Sequence, residues 1–353
     1  MLDVTAPPAT RAGVLALLVL CGLGLDAGTA RGDDLSSESS EAPRRGPAPI
    51  PDEHLFAQPR LTLTALGPDT LGRGRWRLRA SLVWTNSFSW TQDVAGELPA
   101  DRRFLVDGES RTLDITLTRG VTDDVDLALR LPLRWRGGGV LDALIDAWHG
   151  LVGLPDGDRG RFLRNAFRAE GLTTGGARFS WSRASGYGLG SVELTALFRL
   201  THGDRDSWSV ALAPRVGLPT ATGPFGGNGL TLATQAVAAK RVARALDLVL
   251  GVGGTAGGSR TVRRVGYARA RGHGFVALEW RPGRRWSLVG ETSAATRLVD
   301  GVDSYPGLHW TTSLTALVDV SARARLEMGF TENVKDQLST PDFALHFALG
   351  IRP

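Results

Sequence analysis

Six histidines, His54, His149, His202, His273, His309 and His346, are the residues of this chain best suited to proton transfer or metal ligation. None has a serine two residues on. The stretch HWTTS sets Ser313 four positions after His309, a rise of about 13 Å on a strand, too long for a hydrogen bond. A cross-strand serine could still meet a histidine, but spacing cannot reveal it. No HExxH and no GxSxG occurs. The single cysteine, Cys21, falls in a segment read below as a leader, so thiolate nucleophiles, thiolate metal sites and disulfides are not expected. The expectation is a non-enzyme, with no catalytic residue, no cofactor and no metal site. His346 reads as a hydrogen-bonded interior residue. His149, beside Trp148, either bonds a loop carbonyl or touches a ligand.

The elements that must position these residues are strands. In RGRWRLRASLVWTN, Trp76, Leu78, Ala80, Leu82 and Trp84 share one parity, and Arg75, Arg77, Arg79 and Ser81 the other. In VDLALRLPLRW, Val125, Leu127, Leu129, Leu131, Leu133 and Trp135 alternate with Asp126, Arg130 and Arg134. These runs are about twice the usual globular strand length, and aromatic residues stand at their ends. After residue 25 no apolar run is long enough for a transmembrane helix. The pass predicts twelve strands, near 74–86, 103–118, 124–136, 190–200, 207–218, 229–242, 246–256, 271–281, 285–297, 308–320, 323–333 and 342–351. Short turns (GVTDD, THGDRD, ARA, PGR, SA) alternate with long loops. An even strand count with that alternation predicts a transmembrane antiparallel β-barrel of the outer-membrane kind, closed because an edge would leave backbone groups unpaired in hydrocarbon. Its polar parity nominates lumen-lining residues: Arg75, Arg77, Arg79, Asp114, Asp126, Arg130, Arg134, Glu193, Glu291 and His309. A lumen of both signs is either a wet pore or a salt-bridged plug.

Residues 13–25, GVLALLVLCGLGL, followed by DAGTA, read as the core of a signal peptide over 1–30. Residues 31–58 are polar and proline-rich at their start and read as a disordered lead-in; 59–353 is the barrel. The net charge is +5, but the only lysines are Lys240 and Lys335. Arginine spread along strands is not a clustered basic stripe, so no nucleic-acid partner is expected. The expected partners are outer-membrane lipids, the barrel-assembly machinery and a small solute.

One segment breaks the alternation. GVLDALIDAWHGLVGLP, Gly139–Pro155, has helical spacing within the longest loop, 137–189: Val140, Leu141, Leu144, Ile145, Trp148, Leu151 and Val152 share a face opposite Asp142 and Asp146. Gly150 and Gly153 are candidate hinges and Pro155 ends the helix. It is either a plug over the barrel mouth, the reading preferred here, or a lid or interfacial helix. Leu144, Ile145, Trp148, His149, Gly153, Leu154 and Pro155 are its candidate working residues.

The order RLPL, Gly-rich turn, helix with WHGLVGLP and then GYGLGSVELTALFRL resembles a domain-of-unknown-function family of predicted Gram-negative outer-membrane proteins. His149 and Gly153-Leu154-Pro155 match its helix motif. Thr331-Glu332-Asn333 and Thr340-Pro341-Asp342-Phe343 resemble its C-terminal end. The likeness spans most of 60–351 and implies an outer-membrane location and fold rather than an activity. The chain departs from many barrels in ending on Pro353 instead of an aromatic residue. The function expected is a porin-like channel or facilitator for small solutes. The alternatives are a closed structural or ligand-binding barrel and, behind it, a lipid-modifying enzyme.

Overall fold

The computed structural model describes residues 44–91, 104–153, 159–203, 207–333 and 340–352. The expected signal peptide, residues 31–43 of the lead-in, and Leu154 and Pro155 lie outside them.

Twelve antiparallel strands form the wall: β1 (Trp76–Trp90), β2 (Phe104–Gly120), β3 (Val125–Gly137), β4 (Glu193–Thr201), β5 (Ser209–Gly217), β6 (Thr231–Ala243), β7 (Leu246–Gly257), β8 (Ala270–Trp280), β9 (Trp286–Ala295), β10 (His309–Asp319), β11 (Ala324–Asn333) and β12 (Phe343–Ile351). Each pairs with its sequence neighbours, and β1 closes on β12 from Leu78 opposite Ile351 to Asn86 opposite Phe343. Closure leaves the wall no edge. The strands fall within a few residues of the predicted ones; β1 runs four residues further, to Trp90.

The alternation sorts two environments. Leu78, Leu82, Leu127, Leu129, Leu131, Leu133, Leu278, Val276, Leu326, Met328, Phe347 and Leu349 are all exposed on the outside. Facing water, each would cost about 1.5–3 kcal/mol, and so broad an apolar surface calls for a hydrocarbon surround. The inward parity carries Arg79, Ser81, Thr85, Thr112, Asp114, Gln235, Thr315 and His346, all buried.

The lumen is filled by the chain's own N-terminal segment. Residues 44–71 enter at the short-turn end, where Arg44 Nε donates to Asp69 Oδ2 at 3.2 Å. They rise to a turn in which Ala57 N and Gln58 N donate to His54 O, then return to meet β1. The part of the expected disordered lead-in that is described, residues 44–58, is therefore ordered and buried: Glu53, His54, Leu55, Phe56 and Ala57 are fully enclosed. Its polar composition suits a lumen lined with charge, so low hydrophobicity does not leave it unpartnered.

Candidate functional site

The segment is held by charge and by small apolar clusters in the lumen and by aromatic packing at the mouth. Glu53 sits between two wall arginines, with Arg134 Nη2 at 3.0 Å from Oε1 and Arg130 Nη2 at 3.7 Å. Arg130 also donates to Asp114 Oδ2 at 2.8 Å and Glu193 Oε1 at 2.6 Å. Arg134 Nη1 donates to Gln58 O at 2.6 Å. On the opposite side His309 Nε2 lies 3.1 Å and Arg271 Nη1 3.7 Å from Asp52 Oδ2. Arg60 Nη2 donates to Ser259 O at 2.6 Å, and its guanidinium stacks on Tyr267.

At the apex, Leu55, Phe56 and Ala57 join a core built from the long loops, with Phe104, Phe179, Trp181, Tyr267, Leu298 and Tyr305 among its members. Phe56 meets Trp181 and Tyr305 edge-on, at centroid distances of 5.1 and 5.4 Å, the geometry aromatic rings favour. The long-loop mouth is thereby closed. Beside it, His54 Nδ1 accepts from Phe56 N at 3.2 Å. Burial, opposed by Asp52 and supported by His309 and Arg271, pushes the His54 imidazole down to about 4, and the accepting Nδ1 fits the neutral ring.

Two cavities flank the segment. The small one, about 50 Å³, lies toward the mouth against Asp52, Glu291 and His309. The large one, about 1080 Å³, occupies the lumen toward the short turns. Among the described residues that line it, eleven arginines face five carboxylates. Asp114, Glu193 and Glu327 are engaged by arginine, Glu327 by Arg79 Nη2 at 2.6 Å. Asp126 accepts from Leu71 N at 3.0 Å. Arg75, Arg77, Arg323 and Arg352 make no salt bridge with a described residue. Of the ten residues nominated for the lumen, Arg75, Arg77, Arg79, Asp114, Asp126, Arg130 and Glu193 line the large cavity, Glu291 and His309 the small one, and Arg134 grips the segment itself.

Sequence reasoning missed the segment's own Asp52, Glu53, Gln58 and Arg60, which carry no alternation. It also missed Arg136, whose guanidinium donates to Ala184 O at 2.7 Å and stacks on Trp181 and Phe225. Arg136 continues the parity of Arg130 and Arg134, and that signal could have found it.

Helix α1 (Asp142–Val152) is not the plug expected of it. Leu141 and Ile145 bury against Phe343, with Trp84, Trp148, Phe330 and Leu345 packed around them. Trp84, Phe330, Phe343 and Leu345 are outward-facing residues of β1, β11 and β12, so the helix lies on the outer wall at the long-loop rim. The physical reason is that the mouth is already filled by the core around Phe56, while Trp84, Phe330, Phe343 and Leu345 leave an aromatic face outside at the rim where an apolar helix face finds its partner. Val140, Leu144 and Leu151 point away from the wall, Leu151 being 80% exposed. Gly139 permits the docking, because a Cβ there would overlap the Glu109 carboxylate. That carboxylate accepts from Leu141 N and from Trp84 Nε1, which places negative charge at the helix N-terminus, where the dipole favours it. Gly153 ends the helix in the left-handed region at φ 72°.

Polar side chains are trapped beneath the helix. Arg159 Nη1 donates to Asp142 Oδ1 at 2.8 Å and Nη2 to Asn86 Oδ1 at 2.7 Å; Nη2 also reaches Asp342 Oδ2. His149 Nε2 lies 3.6 Å from Glu332 Oε1. The helix stretch and the C-terminal stretch singled out from the sequence therefore meet here, across more than 180 residues.

A family described as "Protein of unknown function (DUF3187)" matches residues 33–352. The chain belongs to this family. Among curated proteins no sequence matches it. A crystal structure of an outer-membrane channel from Pseudomonas putida F1 is similar at 12% identity and a TM-score of 0.54, covering 83% of this chain and 100% of that one. The fold is thus that of an outer-membrane β-barrel. Looser likenesses are the NanC porin (6% identity, TM-score 0.43, 78% of this chain and 98% of that one) and the Pseudomonas putida toluene transporter TodX (10%, 0.37, 81% and 91%). These solved relatives are channels and transporters rather than enzymes.

Proposed function

We propose that the protein is an outer-membrane channel for small anionic solutes, held shut in this state by its own N-terminal segment. The observation that carries this reading is the large lumenal cavity, where arginine outnumbers carboxylate and four arginines remain unbridged. A low-dielectric wall focuses such a field and concentrates anions at the opening. Short turns mark the periplasmic end in barrels of this kind, which puts the cavity on the periplasmic side and the aromatic closure outside. The segment is gripped in the lumen through ion pairs and hydrogen bonds, contacts that solute or acid can exchange, beside apolar packing of Ala48, Ala65, Leu61 and Leu63 on the inner wall. Opening then requires only that 44–66 withdraw, with the wall unchanged.

A second reading, a permanently closed barrel that binds a ligand in the cavity, draws on the aromatic core around Phe56. Planar-bilayer recording separates the two. The channel reading expects discrete conductance steps and a reversal potential displaced to the anion side under a KCl gradient, with the displacement reduced in Arg77→Ala/Arg352→Ala. Silence at every voltage and pH would leave the closed reading. Cation preference would refute the anionic one.

A further inference from the structure

Beneath α1, one imidazole and two carboxylates converge. The ligating atoms of His149, Glu332 and Asp342 all lie within 4.8 Å of one another. His149 comes from the helix, Glu332 from the outer face of β11, and Asp342 from the residue before β12. The His149 ring is 5% exposed, yet among the described residues neither nitrogen has a hydrogen-bond partner, and Glu332 Oε2 has none either. Buried polar atoms are rarely left so, and an unsatisfied set of acceptors this dense calls for an ion or water. The charges agree. Among the described residues, Asp142 and Asp342 share the guanidinium of Arg159 and Glu332 pairs with the imidazole, so these groups carry more carboxylate than cation. Two ligands about 2.0–2.2 Å from a tetrahedral zinc ion stand about 3.3–3.6 Å apart, and His149 Nε2 and Glu332 Oε1 are at 3.6 Å.

We propose that His149, Glu332 and Asp342 form a divalent transition-metal site that staples the helical loop to the outer wall of the barrel. The donor set, one nitrogen and two carboxylate oxygens, suits Zn²⁺ better than Ca²⁺, which prefers six to eight oxygens. The site would be structural, since it joins a loop to the wall strands. It is independent of whether the lumen conducts.

The test uses the full chain in detergent, stripped with chelator and titrated with ZnCl₂ by calorimetry. The site predicts one Zn²⁺ per chain, bound about a hundred-fold or more weaker in His149→Ala and in Glu332→Gln, with Ca²⁺ unable to compete. Zn²⁺ should also slow proteolysis within 137–189, and chelator should reverse this. Binding absent, or equal in wild type and both variants, overturns the proposal, as does tighter binding of Ca²⁺. Should a variant lose heat-modifiable migration, Co²⁺ added to the wild-type chain decides. Visible d–d bands that Zn²⁺ abolishes support the site, and a spectrum no different from Co²⁺ in detergent alone refutes it.

Discussion

The N-terminal segment and the helical loop dock on opposite faces of one wall, and they hold on by opposite means. Inside, Asp52 and Glu53 meet Arg271, His309, Arg130 and Arg134. Outside, Leu141, Ile145 and Trp148 meet Trp84, Phe330, Phe343 and Leu345. A strand presents two surfaces one residue out of phase, and a barrel separates them into two solvents. A polar, proline-rich segment is therefore the stable filling for the lumen, and an apolar helix is stable only on the rim. Each also keeps a minority of the other kind: Phe56 in an aromatic core at the mouth, and Arg159 in a polar network under the helix. Those minority contacts set where each segment stops.

The largest effect should come from breaking the inner charge network. Arg130→Met leaves Asp114, Glu193 and Glu53 sharing too little positive charge, at about 3–5 kcal/mol; the temperature at which the folded band is lost on heat-modifiable gels should drop more than for any outer-loop substitution. Next, Phe56→Ala removes the apex from the mouth core, about 3–5 kcal/mol. The wall does not depend on that core, so the loss should appear as protease access to residues 44–66 with the barrel still folded.

Acid should loosen the inner segment. His54 is held down to about 4 in the docked segment, against about 6.5 when free. A lowered imidazole favours docking above its free value, and that preference fades as pH falls from 6.5 toward 4. Moving from pH 7 to pH 5 should weaken docking by about 2 kcal/mol, roughly twenty-fold in the open-to-closed ratio. Open probability should rise accordingly in wild type and much less in His54→Gln.

The smallest effect on the lumen should come from the helix. Changing Leu144, Ile145 and Trp148 together to Ser should free the loop to proteases, chiefly through Ile145 and Trp148, and leave conductance within about twofold. A large rise in conductance would return the helix to the mouth and erase the contrast.

The wall was legible because period two is a local property: each strand's alternation survives whatever the strand pairs with. The two docked segments were not. Glu53 finds Arg134, and Asp52 finds His309, only after the barrel closes, so a run such as PAPIPDEH shows composition without its partner. The helix was visible as a helix, but its buried side is turned from the expected face. Asp142 and His149 are buried while Leu144 and Leu151 are exposed, because Arg159 further along the loop and Glu332 on the wall await them. Of the lumen residues, those on strands follow from parity; those on the N-terminal segment do not.

The central claim is that residues 44–66 are the gate. It is tested most directly by single-channel recording of the full chain against a chain lacking 45–66, both confirmed as folded by heat-modifiable migration. The account predicts long closed periods at neutral pH in the full chain and a steady, anion-preferring conductance in the deletion. A folded deletion that stays silent, or one whose conductance matches the full chain, would contradict it.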